Sequence, residues 1–202
     1  MKRESECYAR KGWLPYLING IIYTAISFSF ILGMSGTFEQ NAYALLTSDR
    51  SPTVQIKEGD EWRYFKGTQK PPKQWNQSGF DDSRWQIGPS GFGYGLERNS
   101  TNLGDMRGNY LSVYVRRNLV VNDTHAVTNM TLSIECDGPF IAYLNGIEII
   151  RNVSGLPGER LDVSGFIHEL FPGENILAVE GSNDDINSVE FFFTPYFELT
   201  ER

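Results

Sequence analysis

A chain of 202 residues with a formal net charge of −7 has room for one domain and a short extra segment. Its 18 basic residues are scattered and outnumbered by 25 acidic ones, so neither nucleic acid nor an anionic membrane surface is an expected partner. Two cysteines cannot frame a disulfide scaffold or a cysteine metal cluster, and two histidines, His125 and His168, fall short of a zinc ligand set.

The N-terminus reads as a leader. Lys2, Arg3, Arg10 and Lys11 precede an uncharged apolar run from Trp13 to Met34, and Ala42-Tyr43-Ala44 has the small-residue pattern of a cleavage site. Two alternatives stand: a secretory signal ending after Ala44, or a signal anchor that stays in the membrane. The basic flank lies on the N-terminal side, so both place the rest of the chain outside the cytosol. Residues 1–44 are therefore read as signal peptide or anchor helix, 45–53 as lead-in, and 54–202 as the domain. Any membrane contact is expected only through the N-terminal segment, and only if it is uncleaved.

Past the lead-in, the stretch FDDSRWQIGPSGFGYG, Phe80 to Gly95, is too rich in glycine for a helix and too aromatic for a linker. Its expected work is structural, with Phe80 and Trp85 plugging one end of a sandwich from a loop. Asp81, Asp82 and Ser83 would hydrogen-bond nearby backbone, as turn-forming residues do. From Asn109 to Val121, Leu111, Val113 and Val115 alternate with Ser112, Tyr114 and Arg116, the period of a half-buried strand. Of Arg116 and Arg117, neighbours in that strand, one must point inward, and a buried charge demands an acid such as Asp82. Met130, Leu132, Ile134 and Cys136 repeat the alternation. PFIAYLNGIEIIR predicts a hairpin turning at Asn145-Gly146, where both central positions want positive φ. Phe166 to Phe171 predicts a single helical turn, Pro172-Gly173 a turn, and Ile176 to Glu180 a strand. VEFFFTPYFEL closes the chain with a strand whose triplet Phe191-Phe192-Phe193 fills both faces. Many strands without a βαβ rhythm predict an all-β antiparallel sandwich.

Five segments in order, EWRYFKG, PPKQWNQSGFDDSRWQIGPSGFGYG, GNYLSVYVRRNLVV, DGPFIAYLNGIEI and GENILAVEGSN, resemble the galactose-binding-domain-like jelly rolls. Such domains occur in the sugar-binding parts of β-galactosidase-type glycoside hydrolases and in secreted surface proteins. The resemblance spans Val54 to Leu199 and implies a jelly-roll β-sandwich that binds sugar or supports a neighbouring catalytic domain. Where members of the family commonly carry Asp-Asp-Gly before the hairpin, this chain has Cys136-Asp137-Gly138, so the first acidic position is lost.

A carbohydrate or glycoconjugate is the expected partner, stacked on Trp75, Trp85 or Tyr94 and hydrogen-bonded by Arg107, Asn183 or Asp185. A second expectation is an interaction module for a separately encoded extracellular hydrolase or surface complex, with an uncovered Phe192 as its sign. No catalytic role is expected, because no carboxylate pair, nucleophile elbow or metal set is recognisable. No cofactor is expected either; Asn183, Asp184 and Asp185 do not supply the six to eight oxygens calcium prefers. Five sequons, at Asn76, Asn99, Asn122, Asn129 and Asn152, mark sites for glycosylation in a pathway that performs it.

Overall fold

A computed structural model describes residues 54–153 and 158–202. The leader and lead-in expected at 1–53 lie outside the described residues. Among those described, no helix is long and apolar enough to cross a membrane.

In chain order the strands are β1 (Val54–Ile56), β2 (Glu61–Lys66), β3 (Gln86–Pro89), β4 (Phe92–Tyr94), β5 (Thr101–Asn102) and β6 (Ser112–Val121). There follow β7 (Val127–Cys136), β8 (Phe140–Leu144), β9 (Ile147–Asn152), β10 (Leu161–Asp162), β11 (Gly173–Ser182) and β12 (Phe191–Glu201). Sheet I has the order β10-β7-β12-β4-β5, with β1 also paired to β12. Sheet II has the order β3-β2-β6-β11-β8-β9. The pairings are antiparallel, except that β4 and β5 run parallel.

The period-two pattern decides the core. Met130, Leu132, Ile134 and Cys136 on β7, with Phe191, Phe193, Phe197 and Leu199 on β12, face Val113, Val115, Leu177 and Val179 of sheet II in one buried cluster. Each large apolar side chain so enclosed contributes roughly 1.5–3 kcal/mol. The expected hairpin joins β8 to β9, with φ of 53° at Asn145 and 92° at Gly146. Asn145 adds its side chain to the turn, donating to Glu169 O and to Asn175 Oδ1. The expected helical turn is a 3-10 turn at Ser164–Glu169. It ends at Leu170, already extended at ψ 143°, two residues short of Pro172.

Burial also silences the thiol of Cys136, which is pushed up to about 12. Little thiolate exists at pH 8, and the thiolate is the reactive form. Native protein is therefore expected to resist iodoacetamide at Cys136 and to react there once unfolded in urea. Peptide mass mapping checks this, and prompt alkylation of Cys136 in the native protein would contradict it.

Trp85 and Phe80 do not plug an end of the sandwich. Residues 67–85 connect β2 to β3 across the outer face of sheet II, where Trp75 and Trp85 pack with Tyr114, Ile176 and Ala178 in a second cluster. Those last three occupy outward positions of β6 and β11, so that face is apolar and requires a cover. Arg116 is the buried member of the arginine pair, at 2% exposure, and meets Asp82 at 2.7 Å as the charge rule requires. Asp81 Oδ1 accepts from Ser83 N, making the expected Asx turn.

Candidate functional site

With one face of sheet II covered by its own chain, the open broad face belongs to sheet I. Core residues alternate along β12, which leaves Phe192, Thr194, Tyr196 and Glu198 pointing outward. Across the β7–β12 register, Glu135 lies opposite Thr194, Ser133 opposite Tyr196 and Thr131 opposite Glu198. Thr131, Ser133, Glu135, Tyr196 and Glu198, with Arg160, line a shallow hollow of about 330 Å³.

The polar atoms of the hollow are held in pairs. Tyr196 Oη donates to Glu58 at 3.0 Å, and Ser133 Oγ donates to the carbonyl of Gly158 at 2.7 Å. Glu198 accepts from Gln55 Nε2 at 3.1 Å and from Arg160. Arg98 reaches Glu135 at 2.9 Å, and its guanidinium carbon lies 3.4 Å from the centre of the Phe192 ring. Burial pushes the Tyr196 phenol up to about 12, aided by its bond to Glu58, so it remains a neutral hydroxyl. Burial works against ionisation of Glu198, yet the hydrogen bonds from Gln55 and Arg160 hold its carboxyl below the usual range. The surface thus offers one half-buried aromatic ring, hydroxyls, and two carboxylates, Glu135 and Glu198, each paired with a guanidinium.

The expected ligand residues fall in two places, and neither is this hollow. Trp75 and Trp85 are 8% and 7% exposed, their rings 6.2 Å apart and stacked on each other. Tyr114 and Tyr143 meet Trp75 edge-on, while Phe65 and Phe80 pack on Trp85. No ring face remains for a pyranose, and this corrects the stacking role expected of both tryptophans. Their apolar bodies cover an apolar sheet face instead. Tyr94, Arg107, Asn183 and Asp185 do come together, at the rim loop 183–190. Tyr94, 8% exposed, donates its hydroxyl to Ser188 O, so it too has no stacking face. Asn183 is buried and donates to Glu190 O. Asp185 accepts from Asn187 N, and Arg107 donates to Asn187 O. These polar atoms brace the loop that carries them.

Sequence reasoning missed Tyr196, Glu198, Arg160 and Arg98. The outward positions Thr131, Ser133 and Glu135 were legible from alternation along β7. The decisive fact, that the outer face of sheet II is closed and that of sheet I open, has no local signature. Phe192 is 1% exposed beneath Arg98, which removes the aromatic triplet as an apolar docking patch. In the altered Asp-Asp-Gly triplet the first position, Cys136, is buried in the core, and the retained acid is structural: Asp137 Oδ2 accepts from Phe192 N at 2.7 Å. Among the sequons, Asn122 and Asn129 are exposed and Asn76 and Asn152 half-buried, whereas both amide atoms of Asn99 are enclosed. Among the described residues, no group of three or more His, Cys, Asp or Glu is placed to hold a metal ion.

No protein-family model matches the sequence, and no curated protein matches it. Solved structures do. A glycosyl hydrolase family 2 member from Bacteroides cellulosilyticus matches with a TM-score of 0.53 and 14% identity, over 73% of this chain and 21% of that one. A calcium-binding mutant of Bacteroides uniformis β-glucuronidase 2 matches with a TM-score of 0.51 and 18% identity, over 72% of this chain and 18% of that one. An uncultured Clostridium sp. β-glucuronidase gives a TM-score of 0.50 and 16% identity, over 76% and 30%. The chain therefore spans less than a third of the enzymes it resembles, and what it shares with them is the fold. The described domain is an all-β sandwich, similar in fold to a part of each of these enzymes.

Proposed function

We propose that the domain is an exported, noncatalytic carbohydrate-binding module whose binding surface is the outer face of sheet I. The observation that carries this reading is the hollow around Tyr196, the half-exposed ring of an open sheet face fringed by hydroxyls and fixed carboxylates. An aromatic ring beside oriented hydrogen-bonding groups is what a saccharide needs, since its CH faces are apolar and its edges polar. The similar structures are glycoside hydrolases and β-glucuronidases, proteins whose work is on carbohydrate, which agrees with a sugar ligand. Export follows from the basic, apolar and small-residue sequence of residues 1–44.

The charge balance favours a neutral sugar. Arg98 and Arg160 are each paired with a carboxylate, and Glu58 is left over beside Tyr196. An anionic sugar would have to displace a carboxylate from an arginine and remain beside it. Spacing speaks against Glu135 and Glu198 as a hydrolytic pair. Glu135 lies opposite Thr194, four residues before Glu198, about 14 Å along the strand. A glycosidase pair sits about 5–9.5 Å apart. The alternative of an accessory module for a separate hydrolase or surface complex loses its aromatic ground now that Phe192 is covered.

Titration calorimetry of the full chain against neutral oligosaccharides tests the reading. Tyr196→Ala is expected to weaken binding about tenfold, equivalent to roughly 1.4 kcal/mol, with the melting temperature little changed. Silence of the parent protein across plant, bacterial and animal glycans would remove the proposal.

A further inference from the structure

Phe192 is an anomaly on sheet I. It points to the same outer face as Tyr196 and Glu198, yet it is 1% exposed while those two are half-buried. Arg98 lies over its ring. The Arg98 guanidinium lies flat enough on the ring for its carbon to be 3.4 Å from the centroid, and the Arg98 side chain is itself 52% exposed. Among the described residues that guanidinium forms an ion pair with Glu135, itself 32% exposed, and such solvated pairs hold weakly.

What lies beneath the same strap is equally unusual. Residues 95–100 connect β4 to β5 over the outer face: Ser100 N donates to Gly91 O, and Asn99 Oδ1 sits within 2.9 Å of where a Cβ on Gly93 would lie. Gly93 is the register partner of Phe192. Buried polar side-chain atoms ordinarily find partners. Among the described residues four do not, and three of them are here: Nδ2 and Oδ1 of Asn99, and Oγ1 of Thr194. Thr194 is 0% exposed and is the outward residue between Phe192 and Tyr196. One aromatic face thus lies under a solvated arginine, and on the same face of the sheet two oxygens and an amide nitrogen are enclosed without hydrogen-bond partners among the described residues.

We infer that Phe192, Thr194 and Asn99 form a second, lidded saccharide subsite, and that Arg98 is its lid. This rests on the reading of sheet I as the sugar-binding face and extends it. The planar guanidinium occupies the position that the CH face of a pyranose takes on an aromatic ring. When Arg98 turns away, retaining Glu135, the ring is freed and the Asn99 amide and Thr194 hydroxyl gain hydroxyl partners. These groups are uncharged, so the ligand class is a neutral sugar. Phe192 and Tyr196 are four residues apart on one strand, about 14 Å, so one oligosaccharide spans both rings and a monosaccharide does not.

The test is calorimetry on the full chain with cellohexaose, xylohexaose, mannohexaose and galactohexaose as probes. Arg98→Ala, which removes the lid, is expected to bind one of these hexaoses at least about threefold tighter than the parent. Adding Thr194→Val should abolish the gain while leaving circular dichroism and melting unchanged. Arg98→Gln takes the place of the alanine variant if that one does not fold. Unchanged or weaker binding by the lid variant, with a parent that binds and responds to Tyr196→Ala, overturns the subsite and leaves the Tyr196 surface standing. Silence of parent and lid variant towards every hexaose overturns both.

Discussion

Asp82→Ala is expected to destabilise the domain by about 3 kcal/mol, well beyond what an exposed loop substitution with no buried partner would cost. Arg116, 2% exposed, sits on the outer face of sheet II with its Nε 2.7 Å from Asp82 Oδ2. Its Nη1 donates to the carbonyls of Trp75 and Gln77, and the Phe80 ring lies 5.1 Å away. One arginine thus gathers the middle and the end of the 67–85 cover onto β6. Removing Asp82 leaves a buried cation with carbonyl partners and, among the described residues, no carboxylate within 4 Å. Breaking a buried pair in that way generally costs about 3–5 kcal/mol, and the lower end applies because the Asp82 side chain is 23% exposed. Arg63, at 3.9 Å from the other Asp82 oxygen, would lose its partner too. Arg116→Met should do less damage than Asp82→Ala, because it removes the charge along with the need for neutralisation. The double variant should then be more stable than the sum of the two single losses predicts. Urea denaturation gives the three energies, and proteolysis within 67–85 of Asp82→Ala reports loosening of the cover. Additivity of the two substitutions would show that the pair is not a unit.

How much of this could be read from residues alone depends on the range of the interaction. The strands β6, β7 and β11 were legible because alternation is a local property: Met130, Leu132, Ile134 and Cys136 announce their inward face without knowledge of any partner. The β8–β9 hairpin was legible for the same reason, since Asn145-Gly146 satisfies a local demand for positive φ at two successive residues. The Arg116–Asp82 pair was legible through a rule about charge, though 34 residues separate them. The short strands β1, β4, β5 and β10 carry two or three residues each, too few for a period to show. The path of 67–85 across sheet II was hidden because it depends on Tyr114, Ile176 and Ala178 sharing a face, a relation set by register between β6 and β11. The site followed that fate. Two tryptophans near glycines and acids suggest sugar stacking as readily as they suggest a lid for an apolar sheet. Only the pairing of strands shows which sheet has been covered and which remains open.

Trp75→Ala separates those two roles of an aromatic residue. The expected result is a loss of roughly 3–5 kcal/mol in stability, the usual range for deleting a buried tryptophan side chain. Trp75 is 8% exposed and touches three rings: Trp85 at 6.2 Å, Tyr114 at 5.1 Å and Tyr143 at 5.7 Å between centroids. Its loss opens the centre of the cover, where neither Trp85 nor Tyr143 can collapse inward without leaving its own neighbours. The carbonyl of Trp75 also accepts from Arg116, so loosening here propagates to the buried charge. Tyr196→Ala should behave in the opposite way, leaving the melting temperature nearly intact and weakening oligosaccharide binding, because a half-exposed ring on an open face stabilises little and contacts much. Melting by circular dichroism and calorimetric affinity, measured on both variants at a temperature where each is folded, place each residue on one axis or the other. A Trp75→Ala protein that melts like the parent but binds sugar less tightly would return the binding surface to sheet II, against the packing that closes it.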